Sequence, residues 1–155
     1  MKTSFHVFCL VWSLILLQAC SETAESPEDA IRVFIEAGVE AAESRSLDAM
    51  NDLLHTNYLD QKGYNKKRLG GLLRVYFFRH KELYLFTKIE EIDLLAENQA
   101  IVRLYVAMAG SVISDVDAIA ALRAQIYQFE LQLTREDDWL LHHASWRPAS
   151  IIDLE

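Results

Sequence analysis

The chain has 155 residues, 23 of them acidic and 15 basic, for a formal net charge of −8 at pH 7. Its hydrophobic share of 52% and charged share of 25% exclude an intrinsically disordered chain, and the length suits a single domain. Two cysteines and two prolines exclude a disulfide-dense scaffold and a Pro-rich linker protein, and the acidity disfavours nucleic-acid binding, which needs Lys and Arg to displace phosphate counterions.

Residues 1–19 read as an export leader. Lys2 supplies a positive start, and Phe5 to Leu17 form an apolar run interrupted only by His6 and Ser13. A spanning helix needs about 20 apolar residues, whereas this run has the length of a secretory h-region. It ends in Leu17-Gln18-Ala19-Cys20, which resembles the bacterial lipobox, where a signal peptidase cuts just before the cysteine. The resemblance implies that Cys20 carries a diacylglycerol thioether and an N-acyl chain, so that the protein is held to a membrane by lipid. Cysteine usage points the same way: Cys9 leaves with the leader, and a lone remaining cysteine has no intramolecular partner. Several acyl chains anchor strongly where one holds marginally. An uncleaved anchor helix and ordinary secretion with a chance cysteine are the alternatives. Ser21 follows Cys20, whereas Asp there is the usual inner-membrane retention signal of such lipoproteins. The expected location is therefore the outer membrane, facing the periplasm. Removing residues 1–19 leaves 136 residues of net charge −9, enough to bury about two thirds of the unfolded surface.

Residues 20–27 form a lipidated tether of small polar residues, and residues 28–150 form the domain. Ser26 caps a first helix, with Pro27 at its first position and Asp29 completing a capping box. Ile31, Phe34, Ile35, Gly38 and Ala42 make its apolar stripe. A short second helix starts at Leu47 behind Ser46, with Leu47, Met50, Leu53 and Leu54 inward, and His55 to Lys62 is expected as a loop bearing Tyr58. Leu69, Leu72, Leu73, Tyr76 and Phe77 predict a third helix from Asn65 to about Phe78, weakened at Gly70-Gly71. From Glu82 the period shortens. Tyr84 to Ala96 is strand-prone, Glu97-Asn98 turns the chain, and Gln99 to Ala109 alternates as a hairpin partner. Gly110 to Ala124 reads either as a short Ala-rich helix capped by Ser114 and Asp117 or as a covering loop. Tyr127 to Thr134 alternates again, a turn follows at Glu136-Asp137-Asp138, and Trp139 to Pro148 closes the chain as a strand. The expected fold is α+β: three N-terminal helices packed on a curved antiparallel sheet of about four strands.

Two N-terminal helices, the DLLHTNYLD segment, a further helix and long meandering strands together resemble the nuclear transport factor 2-like (SnoaL-like, cystatin-like) cone fold. The closing FELQLTREDDWLLHHASWRP segment, with Trp139 and Trp146, is similar to the last hairpin of that family. The resemblance implies a sheet curved around helices to enclose a conical pocket, and frequently a homodimer formed through the outer face of the sheet. The family holds isomerases, dehydratases, cyclases, binding modules and accessory domains, so function rests on the site rather than the fold.

His142-His143 cannot both ligate one ion from a regular strand, because adjacent side chains point to opposite faces. The mature sequence has no H-x-x-x-H or C-x-x-C spacing, and no metal or cofactor is expected. Asp115 and Asp117 lack the rest of a calcium loop. No nucleophile elbow is present. An isomerase-type site would need a carboxylate base and a phenol, for which Tyr58 and Asp60, with Tyr76, Tyr105 or His80, are the candidates. Each of these tyrosines also suits burial. The expected pocket residues are Tyr58, Tyr76, Tyr105 and Trp146. Lys62 to Lys81 hold seven basic residues and no acidic one, which makes Lys66, Lys67, Arg68 and Arg74 a candidate face for anionic lipid, polysaccharide or an acidic partner, unless these bases pair with the Glu-rich first helix. Arg103, Glu130 and Arg147 either line the cone or face water. The favoured expectation is a lipid-anchored binding or accessory protein of the envelope that engages a small apolar ligand or an envelope protein, and the alternative is a small-molecule isomerase or cyclase.

Overall fold

The computed structural model describes residues 26–110 and 125–154. The leader, Cys20, Asp115 and the expected cap at Ser114 and Asp117 lie outside them.

Helix α1 (Pro27–Glu43) begins as expected. The Ser26 hydroxyl accepts from the Asp29 amide at 3.1 Å and donates to the Asp29 carboxylate at 2.8 Å, satisfying an amide that the first turn leaves without a partner. Ile31, Phe34, Ile35 and Ala41 are its buried residues. Arg45 turns the chain with a φ of 55°, and the Ser46 hydroxyl accepts from Ala49 at 3.2 Å to start α2 (Leu47–Asp52).

The expected loop after α2 is instead a strand, β1 (Leu54–Asp60), in which Leu54, Tyr58 and Asp60 are buried. It pairs parallel with β5 (Trp139–Pro148), Leu59 lying opposite His143, with a register shift between Leu54 and Leu59. Its partner is some eighty positions away in sequence, and its middle residues are polar and exposed. Strand pairing of this kind is decided by tertiary neighbours, which local periodicity does not see. The sheet is therefore mixed and has five strands rather than four, in the order β1-β5-β4-β3-β2.

Helix α3 (Lys66–Arg79) follows, capped by Asn65, whose side chain accepts from the Arg68 amide at 3.0 Å. Strands β2 (Tyr84–Ala96), β3 (Gln99–Ala109), β4 (Gln125–Arg135) and β5 run as an antiparallel meander. Irregularities at Ile89/Glu91, Leu94/Ala96 and Gln132/Leu133 are the bulges by which a sheet bends and twists. A short 3-10 helix (Ile151–Leu154) ends the described chain.

The core sits where α1 crosses the sheet. Ile31, Phe34 and Ile35 pack on Ala100, Val102, Leu104, Leu133 and Trp139. Alternation along the strands then separates two faces. Leu104 and Val106 of β3 and Phe129 and Leu131 of β4 turn toward the helices, while Arg103, Tyr105, Gln128 and Glu130 turn away.

Candidate functional site: an apolar cone

Beyond the packed core the helices and sheet diverge and leave a cavity of about 380 Å³. Helix α1 contributes Gly38, Val39 and Ala42, and α3 contributes Leu69, Leu73, Tyr76 and Phe77. The strands contribute Leu85, Thr87, Leu104, Val106, Met108, Phe129, Leu131 and Trp146. Gly38 and Ala42 belong to the stripe expected from sequence, but they border this space instead of filling the core. A Cβ at Gly38 would meet Leu53 only at 3.9 Å, so the glycine is no requirement of packing. Among the described residues of the wall, side-chain hydrogen-bonding groups come from Tyr58, Tyr76, Thr87 and Trp146, and no carboxylate, imidazole, amine or guanidinium lines it.

Tyr58 stands on the inner face of β1, 3% exposed. Burial, and secondarily the charge of Asp60, push its phenol well above the usual tyrosine range, because both oppose a second negative charge there. It therefore presents a neutral hydroxyl to the cone. Asp60 is 3% exposed but does not line the cone. Its Oδ1 accepts from the amides of Lys62 at 2.8 Å and Tyr64 at 2.9 Å, closing a turn in which Gly63 adopts a φ of 74°. The other oxygen, Oδ2, is buried without a hydrogen-bond partner. Asp60 is thus built into a turn through Oδ1.

Tyr76 lies at the wall with its ring stacked on His80 at a centroid distance of 4.2 Å. Burial first, and Tyr127 second, raise its phenol pKa. Trp146 packs its ring 6.0 Å from that of Phe129, and the Lys62 ammonium lies 5.4 Å from its centroid. Gln61 Nε2 donates to the Trp146 carbonyl at 2.9 Å, tying the end of β1 to β5.

Tyr105 is a correction. Its neighbour Leu104 faces the cone, so Tyr105 faces the opposite side of the sheet, packed with Ala107, Phe86, Ile126, Ala149 and Ile151. Its hydroxyl accepts from Gln128 Nε2 at 3.2 Å, and the same amide donates to Glu90 at 2.7 Å. The outer face also holds Arg103, bonded to Glu91 and 3.8 Å from Glu130. These contacts resolve the orientation of Arg103 and Glu130, which do not enter the cone.

The basic segment divides. Lys66 is half-buried and its Nζ donates to the Leu54 carbonyl at 2.7 Å, fastening α3 to β1, so it leaves the candidate face. Lys67, Arg68 and Arg74 are exposed, with the Arg68 guanidinium 4.1 Å from the Tyr64 ring centroid. The two histidines of β5 sit at a bulge, where Gln132 pairs with His143 and Leu133 with Leu141. His142 meets the His55 ring at 5.1 Å, and His55 Nε2 lies 3.2 Å from Glu136. Among the described residues no cluster of His, Cys, Asp or Glu is arranged to hold a metal ion.

The residues that sequence reasoning missed are the aliphatic ones, among them Leu73, Val106, Met108 and Leu131, which line the wall beside Tyr58 and Tyr76. Strand parity marks them as sharing a face, but not as the concave one.

No protein-family model matches the sequence, and no curated protein is significantly similar to it. Solved structures are similar in fold. A protein of unknown function from Shewanella oneidensis, nuclear transport factor 2-like, superposes with a TM-score of 0.57 at 18% identity over 78% of this chain and 98% of its own. A ketosteroid isomerase-like protein from Erwinia carotovora atroseptica gives 0.57 at 14% identity, over 78% of this chain and 95% of its own. Bd1075 of Bdellovibrio bacteriovorus gives 0.63 at 13% identity over 77% of this chain, which spans only 40% of that protein. The fold is the nuclear transport factor 2-like one, and at these identities the likeness concerns the fold alone.

Proposed function

We propose that this chain is a lipid-anchored envelope protein whose cone holds a small, largely apolar molecule without transforming it. Cys20, acylated after cleavage of residues 1–19, fastens it to the periplasmic leaflet of the outer membrane. The supporting observation is the chemistry of the wall. A cavity of about 380 Å³ lies within the size range of small-ligand sites, which combine an apolar lining with few polar groups. Burial of a ligand there gains roughly 25 cal/mol per Å² of apolar surface, and the hydroxyls of Tyr58 and Tyr76 can orient one polar atom.

The isomerase or cyclase reading requires a carboxylate within hydrogen-bond reach of a bound substrate. Asp60 is the carboxylate that the sequence offers for that role, and two backbone amides already hold it outside the cone wall. Binding is accordingly the better-supported reading.

The test uses an uncharged naphthylamine probe that fluoresces only out of water. The full chain should enhance its emission saturably. Leu73→Trp, which places a ring in the cone, should abolish the enhancement, while a substitution on the outer face, Gln128→Ala, should leave it intact. Equal enhancement in Leu73→Trp and the parent would reject the cone as the binding site.

A further inference from the structure

Helix α3 has two faces, and the cone accounts for one. Leu69, Leu73, Tyr76 and Phe77 point inward. The other face carries exposed apolar residues among its basic ones: Leu72 is 47% exposed, Val75 50% and Phe78 87%. Helical spacing puts these three on one side, with Lys67 and Arg74 flanking Phe78 and with Arg68 and Arg79 interleaved between Val75 and Leu72. A soluble surface carries isolated apolar residues without consequence, but a row of three rimmed by charge of one sign marks a contact.

The charge around this row is unusually free. Seven of the chain's 15 basic residues, and none of its 23 acidic ones, lie between Lys62 and Lys81. Pairing with the glutamates of α1 would have neutralised them, but among the described residues none of the seven pairs with a carboxylate. The protein is otherwise acidic, so it has a strong charge asymmetry with α3 at its positive pole.

We infer that the outer face of α3 lies on an anionic phospholipid leaflet, with Phe78, Val75 and Leu72 at the acyl boundary and Lys67, Arg68, Arg74 and Arg79 among the headgroups. Interleaved aromatic, aliphatic and basic residues on one helical face are the composition of a helix lying in the membrane interface. An acidic protein surface would satisfy the bases but leaves Phe78 without a matching environment. The proposed anchor adds proximity. Seven positions separate Cys20 from Pro27, a reach of about 25 Å when extended, so the domain meets the leaflet at high effective concentration and weak contacts suffice. Docking would also put the wall of the cone made by α3 against the bilayer, a source of apolar molecules. The inference rests on the proposed function only for this tether.

The experiment uses the full processed chain on vesicles of phosphatidylcholine alone or mixed with phosphatidylglycerol, with brominated acyl chains that quench an indole in contact with them. Phe78→Trp places an indole at the site, and the parent supplies the background of its own tryptophans. The added emission should be quenched on the mixed vesicles and much less on the neutral ones. Lys67→Glu with Arg74→Glu should weaken this attraction about tenfold or more at low salt, as should raised salt. An added indole that stays unquenched on vesicle-bound protein overturns the inference. So does an indole shielded from a water-soluble quencher by polyglutamate but not by vesicles, which would mean an acidic protein partner. Failure of the tether shows separately, as a chain that does not sediment with neutral vesicles. In such a chain the added indole must still be quenched by the mixed vesicles at high lipid concentration and low salt, and if it is not, the inference falls.

Discussion

Two leucines that look alike in sequence should respond differently to the same truncation. Leu133 of β4 is 2% exposed and packs in the cluster of Ile31, Val102 and Trp139. Replacing it by Ala removes buried methyl groups and leaves an enclosed void, at a cost of about 3–4 kcal/mol. Leu73 of α3 lines the cone, so part of its surface already lacks protein neighbours. Its truncation forfeits fewer dispersion contacts and widens an existing space, for a cost of about 1–2 kcal/mol. Against a total stability of roughly 5–15 kcal/mol, Leu133→Ala should lower the melting temperature by roughly 10–15 °C, and Leu73→Ala by about a third of that. Urea unfolding of the full chain measures both, and an unchanged slope with denaturant would certify that the native and unfolded states are comparable. Equal losses for the two variants would refute the distinction between a packed apex and an open cone.

Asp60→Ala should cost about 2–3 kcal/mol in the same assay, because the amides of Lys62 and Tyr64 lose a charged acceptor; Asp60→Asn, which keeps one oxygen, should cost markedly less. Alkaline stability should depend on Tyr58. Its folded-state pKa is raised, so its contribution is complete below the unfolded tyrosine value, about 10, and is lost as pH rises toward the folded value. Between those two values the phenol makes stability fall by up to about 1.4 kcal/mol per pH unit, and Tyr58→Phe should flatten the decline; an unchanged slope would mean that the phenol is not shielded. Cys20→Ala should abolish palmitate labelling in cells and release the chain from the membrane or stall it as precursor, and mass spectrometry showing an unmodified Cys20 thiol in the processed parent would exclude lipidation.

The outer sheet face and the cone differ in kind. Arg103 is held between Glu91 and Glu130, and Tyr105 and Gln128 bond to each other, so these polar groups are largely occupied by neighbours. The cone leaves apolar surface unfilled. Unfilled apolar space costs packing energy, which a ligand would return on binding.

Sequence alone established the elements whose signals are local. Ser26 and Ser46 mark helix starts because their hydroxyls reach amides three residues on. The alternation from Gln99 to Ala109 and from Tyr127 to Thr134 marks strands because a strand repeats every two residues. The resemblance of the whole order to the nuclear transport factor 2-like fold followed from those elements. Three matters were settled only by tertiary structure. Segment 54–60 is a strand because β5 lies beside it, and no residue within the segment announces that partner. Tyr105 lies outside the cone because parity tells which residues share a face, while the curvature of the whole sheet tells which face is concave. Lys66 differs from Lys67 because successive helical positions point about 100° apart, the first to a carbonyl of β1 and the second to solvent. Contacts between distant segments decide these outcomes, and a local pattern carries no record of them.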